Sequence, residues 1–224
     1  MKINILYEDN HIIVVEKPIN ILSQKDNTND QDLLSLVKEY IKEKYNKPGN
    51  VYLGLVHRLD RMVGGIMVFA KTSKAASRLS KAMNDNLFNK SYLAIVKGKV
   101  DEKGVFKDKI KRLNNGNSII SEDGKEAELE YELIEYKKDI DASLVKIHLI
   151  TGRHHQIRIQ FASRNHELLG DHRYSNTEDN LPIALYAYSL EFPHPVKKTS
   201  MQFTLYPKEF GYWKNFSIKK QGNY

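Results

Sequence analysis

The residues best suited to chemistry lie in Gly54-Leu55-Val56-His57-Arg58-Leu59-Asp60-Arg61, followed by the Gly64-Gly65 pair and an apolar run over 66–70. A single carboxylate stands between two guanidinium groups, and the glycines behind it give the chain freedom to turn into a rigid strand. Asp60 is thereby the candidate nucleophile, with its arginine neighbours gripping an anion. A second concentration of polar groups, Thr151-Gly152-Arg153-His154-His155-Gln156-Ile157-Arg158, leads into an apolar face made by Ile157 and Phe161, with Thr151 as the expected helix cap.

The histidines of that second segment invite a metal reading. Adjacent residues of a helix point about 100° apart, so a helical His154 and His155 would not face one ion. With His166 and His172 the spacing matches no common zinc pattern. No metal is expected. The chain has no cysteine, which removes disulfides, thiolate nucleophiles and cysteine-held zinc or iron–sulfur sites.

Charge narrows the partner. The 224 residues carry 35 basic and 28 acidic side chains, a formal net charge of +7, which suits an anionic partner such as RNA. With 41% hydrophobic residues the chain can bury a sizeable core, and it reads as a single domain over 1–224. No apolar run approaches the ~20 residues needed to cross a bilayer, and residues 1–20 are charged throughout. A soluble, cytoplasmic monomer without membrane contact is expected.

The elements that must position these residues follow from periodicity. Residues 4–22 read as strand, turn, strand, with Ile12-Ile13-Val14-Val15 as a β-branched run ended by Pro18. Leu33, Leu34, Val37, Tyr40, Ile41 and Tyr45 recur at helical spacing over 32–45, and Lys47-Pro48-Gly49 stops that helix. Thr72 caps a second helix running to Met83. Residues 90–96 alternate as a half-buried strand that carries Tyr92. The lysine-rich stretch 98–126 predicts hairpins or loops at a cleft rim, free for phosphate contacts. Strands follow over 127–136 and 143–150, and a short aromatic helix is expected within 203–224.

Several of these motifs resemble one family in order. His57-Arg58-Leu59-Asp60 with Gly65-Ile66-Met67-Val68-Phe69-Ala70-Lys71 is similar to the active-site motif of the RluA-type pseudouridine synthases. So are the opening segment Tyr7-Glu8-Asp9 with Ile13-Val14-Val15-Glu16-Lys17-Pro18, the Lys90-Ser91-Tyr92 strand, the Thr151-to-Arg158 signature, and His166-Glu167-Leu168-Leu169-Gly170-Asp171 with Tyr174. The closing strand from Ile183 to Leu190 also resembles the family's. Two departures stand out: Glu167 replaces a proline, and Met62-Val63-Gly64 replaces the usual Thr-Ser before the glycine, removing two hydroxyls beside Asp60. The opening segment begins almost at Met1, so an S4-type RNA-binding domain ahead of it is not expected.

The resemblance implies an α+β fold, a mixed, largely antiparallel sheet split by a catalytic cleft with helices on its outer face. It implies conversion of uridine to pseudouridine in a structured RNA, a ribosomal or transfer RNA stem-loop, with no cofactor. Asp60 would be the catalytic aspartate, Arg158 the arginine that pairs with it, and Tyr92 the ring that stacks on the target base. Arg58 would fill the space left by a flipped uridine, and His57, Arg61, Arg153, His155 and Gln156 would complete the RNA contacts. Whether Asp60 attacks C1′ or removes the C2′ proton stays open. Two other functions remain: a catalytically silent RNA-binding domain of the same fold, and a carboxylate glycosidase, for which Asp171 is the second acid to test.

Overall fold

A computed structural model describes residues 3–28, 30–176 and 179–218. The chain forms two compact units: residues 1–89 with 189–205, and residues 90–188 with 206–224.

The first unit is built on two apolar strands. β1 (Ile5–Glu8) pairs antiparallel with β2 (Ile12–Lys17). β2 pairs antiparallel with β4 (Gly64–Ala70), from Ile12 opposite Ala70 to Lys17 opposite Gly65, and the two-residue β3 (Gly54–Leu55) lies against the far end of β4. Every residue of β4 is buried, as its unbroken apolar run requires of a strand covered on both faces. Gly65, at φ +131°, holds a conformation that side-chain-bearing residues rarely adopt, and it is the second residue of this strand, close behind the Asp60 turn.

Both expected helices form where their caps place them. α1 (Leu33–Lys44) is capped by Asp32, whose carboxylate accepts from Ser35 N at 3.0 Å, and it buries Leu33, Val37 and Ile41. In α2 (Ser73–Asn84) the Thr72 hydroxyl accepts from Ala75 N at 3.1 Å. The α2 stripe Ala75, Leu79 and Ala82 packs into one cluster with Ile12, Val14, Ile66 and Val68. The N-terminal caps contribute about 1 kcal/mol each; apolar burial, at roughly 25 cal/mol per Å², does most of the work.

The second unit is an antiparallel sheet whose strands are not in chain order. β5 (Asn89–Lys97) pairs with β9 (Ala142–Leu149), β9 with β8 (Lys125–Lys137), β8 with β6 (Lys103–Arg112), and β6 with β7 (Ser118–Ile120). α3 (Gln156–Ala162) buries Phe161 against Phe106 and Tyr131, with ring centroids 5.0 and 5.4 Å away. β10 (Leu185–Pro193) belongs to this unit through Tyr188 and to the first unit from Ser189, where it pairs with β11 (Ser200–Thr204). The architecture is α+β, with mostly antiparallel sheet and few helices. Among the described residues no helix is long and apolar enough to cross a membrane.

Three expectations are refined here. Residues 103–112 are a ten-residue strand that forms an expected hairpin with β7, but the basic run they carry is not free for phosphate: Lys103 meets Glu132 at 3.4 Å and Lys107 meets Glu128 at 3.0 Å across the sheet, while Lys109 meets Glu122 at 3.5 Å and Lys111 pairs with Asp123 in the turn before β8. Only Phe106 and Ile110 of the strand are buried, so the apolar alternation was too sparse to show. α3 starts at Gln156, because the preceding loop is tied to β8: the Thr151 hydroxyl accepts from Glu128 N at 2.8 Å, and His155 sits in the left-handed region at φ 54°. The expected aromatic helix is a 3₁₀ turn, Gly211–Asn215, that buries Trp213, with buried Phe216 directly after it, while Phe203 lies in β11 and residues 219–224 fall outside the described residues.

Candidate active site

In the first unit, Asp60 opens a tight turn in which Val63 N donates to its carbonyl at 3.0 Å. The backbone on either side is pinned. Ser23 Oγ accepts from Leu59 N at 3.0 Å and donates to Leu59 O at 2.7 Å, a reciprocal pair that imitates a strand ladder. Lys17 Nζ donates to Arg61 O at 3.0 Å, and also to Pro18 O at 2.9 Å and Ile21 O at 2.6 Å. The Lys17 side chain is wholly buried, and burial pulls its pKa down to about 7 against the opposing attraction of the Asp60 carboxylate. This ammonium therefore both ties the loop to β2 and supplies positive potential beside the acid. Strand alternation puts Lys17 on the same face as Ile13 and Val15, an inward lysine that the sequence displays but that its place before Pro18 disguised as a strand end.

The other residues of this segment divide by task. His57 Nε2 accepts from Val68 N at 3.1 Å, fastening the approach to Asp60 onto β4. Arg61 donates through Nε to Asn20 at 2.9 Å and through Nη1 to Asp30 at 2.7 Å, in an ion pair that is about half exposed. Arg58 is exposed, and among the described residues no hydrogen bond or ion pair holds its guanidinium. It is the arginine of the segment available to reach a substrate.

In the second unit, Arg158 is gripped by Asp171. Nε donates to Oδ2 at 2.8 Å and Nη2 to Oδ1 at 2.6 Å, a fork–fork pair whose side chains are 9% and 0% exposed. Asp171 also accepts from the backbone N–H groups of Arg173 and Tyr174, which satisfies a carboxylate otherwise stranded in the interior. The Arg158 guanidinium lies over the Tyr174 ring, 5.2 Å from its centroid. The network continues from Tyr174: its hydroxyl lies 2.8 Å from His155 Nδ1 and accepts from Ser118 N at 2.7 Å. Burial raises the Tyr174 pKa, with the Ser118 N–H and the Arg158 charge pulling the other way.

His154 and His155 stack face to face, centroids 3.7 Å apart and planes inclined by 28°. The 100° divergence expected of helical neighbours does not arise, because both precede α3. Gln156 is buried and spends its amide on the protein: Oε1 accepts from Thr151 Oγ1 at 2.8 Å and Arg153 N at 2.9 Å, and Nε2 donates to Glu128 O at 3.0 Å. Arg153 is exposed, steadied by a bond from Nε to Glu126 O at 2.7 Å. Tyr92 is 8% exposed on β5, opposite Ile147 of β9.

The structure thus gathers His57, Arg58, Asp60 and Arg61 on one pinned loop of the first unit, and Arg153, His155, Gln156 and Arg158 around the start of α3 in the second. Sequence reasoning missed Ser118, placed Lys17 in the opening motif without a role, and gave Asp171 as part of a family motif and an acid to test rather than as the partner of Arg158. Ser118 offers no signal at all, being one serine in a polar stretch whose role depends on which strand it joins.

The family model described as RNA pseudouridylate synthase matches residues 11–163. An uncharacterized RNA pseudouridine synthase of Aquifex aeolicus (strain VF5) is 33% identical over 217 residues, covering 91% of this chain and 69% of that protein. The ribosomal large subunit pseudouridine synthase D of Nitrosomonas europaea is 32% identical, covering 86% of this chain, which spans 58% of that relative's length. Among solved structures, human RNA pseudouridylate synthase domain containing 4 superposes with a TM-score of 0.76 at 21% identity, over 92% of this chain and 89% of that one, a likeness of fold. Matched by the family model through both the Asp60 loop and the Arg158 segment, the chain belongs to the RNA pseudouridylate synthase family.

Proposed function

We propose that this chain isomerises a uridine within structured RNA, with Asp60 as the essential carboxylate. The observation that carries the reading is the construction around Asp60: the backbone is pinned by Ser23 on one side and Lys17 on the other, while the acid itself remains partly exposed. Such a carboxylate is aimed by the protein rather than by solvent. The reaction breaks C1′–N1, turns the uracil and forms C1′–C5, and the C5 hydrogen is lost to solvent as N1 gains one. Asp60 serves it by attacking C1′ or by taking the C2′ proton. No redox partner is needed.

The remaining roles follow from chemistry and placement. Arg158, preorganised by Asp171, is assigned to orient Asp60. Tyr92 is assigned the base face, where stacking contributes roughly 1–3 kcal/mol. Arg58 is assigned to the space vacated by the flipped nucleotide, and Arg153 to the RNA backbone. His155 and Gln156 support the segment through Tyr174 and Glu128. The Nitrosomonas relative's name favours ribosomal RNA as the substrate class, and with it a cytoplasmic site of action. The glycosidase reading loses its second acid, since Asp171 is fully buried in the Arg158 fork.

The test is tritium release from RNA containing 5-³H-uridine. Asp60→Asn is expected to abolish release while RNA binding stays within several-fold, because the amide keeps the shape and loses the charge. Release at the wild-type rate would refute the assignment. Turnover is also expected to persist in EDTA; loss on chelation that a single added metal restores would replace this mechanism with a metal-assisted one.

A further inference from the structure

Among the described lysines that are buried or half-buried, Lys17 and Lys71 are answered by the protein. Lys17 meets three carbonyls, and Lys71 meets Glu8 Oε1 at 2.7 Å. Lys90, on β5, is half-buried, yet among the described residues no group accepts a hydrogen bond from its Nζ. Its pKa is lowered by burial alone, without an acid to compensate. An ammonium that has lost part of its water and gained no counter-charge is destabilising unless something else supplies the charge.

The neighbour of that ammonium is Gly152, exposed at the start of the Arg153-to-Arg158 segment. The Gly152 backbone does not require glycine, since its φ lies outside the left-handed region. Nor does packing: within 4 Å, a Cβ built there would meet only Lys90 Nζ, at 3.5 Å, an ordinary contact. What the missing side chain leaves is open space against the ammonium. Strand alternation sets Lys90 on the same face of β5 as Tyr92, two residues on. Arg153 follows Gly152 directly, adding a second cation to the segment.

We propose that Lys90 and the gap above Gly152 form a phosphate subsite, taking one phosphodiester of the RNA beside the nucleotide presented to Tyr92. The proposal rests on the RNA-modifying function argued above and names one of its contacts. A phosphate oxygen there would give Lys90 the charge-assisted partner that the protein withholds. A side chain at residue 152 would stand in the way.

The experiment measures binding of the full chain to a hairpin RNA with a seven-uridine loop, carrying single methylphosphonates at successive positions. Lys90→Met is expected to weaken binding about tenfold and to reduce the slope of log K against log salt by about 0.7–0.9. One methylphosphonate that weakens wild-type binding should cost nothing further in Lys90→Met. Gly152→Ala removes no charge, yet it is expected to lose affinity at the same phosphate, while Lys90→Arg retains part of it. Thermal melts establish that each variant is folded.

Wild-type affinity and slope in Lys90→Met, or methylphosphonate penalties that all persist in it, would overturn the subsite. Tritium release separates this from the functional reading. A wild-type chain that releases tritium while Lys90→Met binds normally sinks the subsite alone. Lys90-dependent phosphate binding without release sinks the isomerase reading and leaves the subsite standing. No affinity for the hairpin RNA would overturn both.

Discussion

Around Asp60 the fixing contacts are made to main-chain atoms: Ser23 bonds Leu59 N and O, Lys17 bonds three carbonyls, and His57 takes the Val68 N–H. Around Arg158 the central contacts join side chain to side chain, from Asp171 through the Arg158 fork and the Tyr174 ring to His155. A loop held by its backbone keeps its path when an exposed neighbour such as Arg61 is replaced. A guanidinium held by another side chain is only as well aimed as that partner, so the proposed role of Arg158 depends on Asp171.

The largest effect that would break this contrast belongs to the second region. Arg158→Ala is expected to lower single-turnover rates by about 10²–10³ while much of the RNA affinity, spread over many basic groups, remains. Asp171→Asn should follow it in direction with a smaller loss of about tenfold or more, because the amide preserves one hydrogen bond and removes the charge. Near wild-type turnover for Arg158→Ala would mean that another arginine serves Asp60, with Arg153 the next to test. Wild-type rates for Asp171→Asn would show that the fork is structural only.

Next in size is Lys17→Met, which keeps the buried stem and leaves three carbonyls without their donor. A stability loss of about 2–4 kcal/mol is expected in urea unfolding, together with slower turnover in the folded fraction as the Asp60 loop loosens. A stable variant with unchanged turnover would show that Ser23 and His57 suffice to hold the loop.

The smallest expected effect concerns the acid limb of stability in the first unit. Burial pushes the Glu8 carboxyl up, but hydrogen bonds from Lys44, Lys71 and Tyr45 outweigh it and hold the pKa at about 2. Asp9 is likewise at about 2, where burial is outweighed by the His11 and Ile12 N–H groups and by His194. Both values lie below the ordinary carboxylate range, so the unfolded chain binds more protons as the solution is acidified. The stabilisation is complete above about pH 5 and is lost as pH falls from about 4.5 to about 2. Urea midpoints for Glu8→Gln should accordingly vary less with pH over this window than those of the wild type. An unchanged pH profile would mean that the cluster around Glu8 contributes little.

The sequence by itself determined what depends on local pattern. α1 and α2 each start directly after a cap, Asp32 and Thr72, because an oxygen at the cap answers a free N–H, and their apolar stripes repeat at helical spacing. β2 and β4 follow from apolar runs too dense to be anything but buried. The family was legible because its motifs stand in order along one chain. Tertiary structure decided what depends on partners distant in sequence. β6 forms because its backbone pairs with β8 from Lys103 opposite Glu132 to Ile110 opposite Lys125 while Phe106 and Ile110 are buried, a partnership that a sparse local apolar pattern does not announce. α3 is delayed to Gln156 because Glu128, far earlier in the chain, holds Thr151. Lys17 becomes a loop anchor, and Asp171 the partner of Arg158, only when folding removes water from them and leaves specific groups to satisfy each charge. Periodicity reports which face is buried, whereas the pairing of a buried charge is settled by what the fold brings within 3 Å of it.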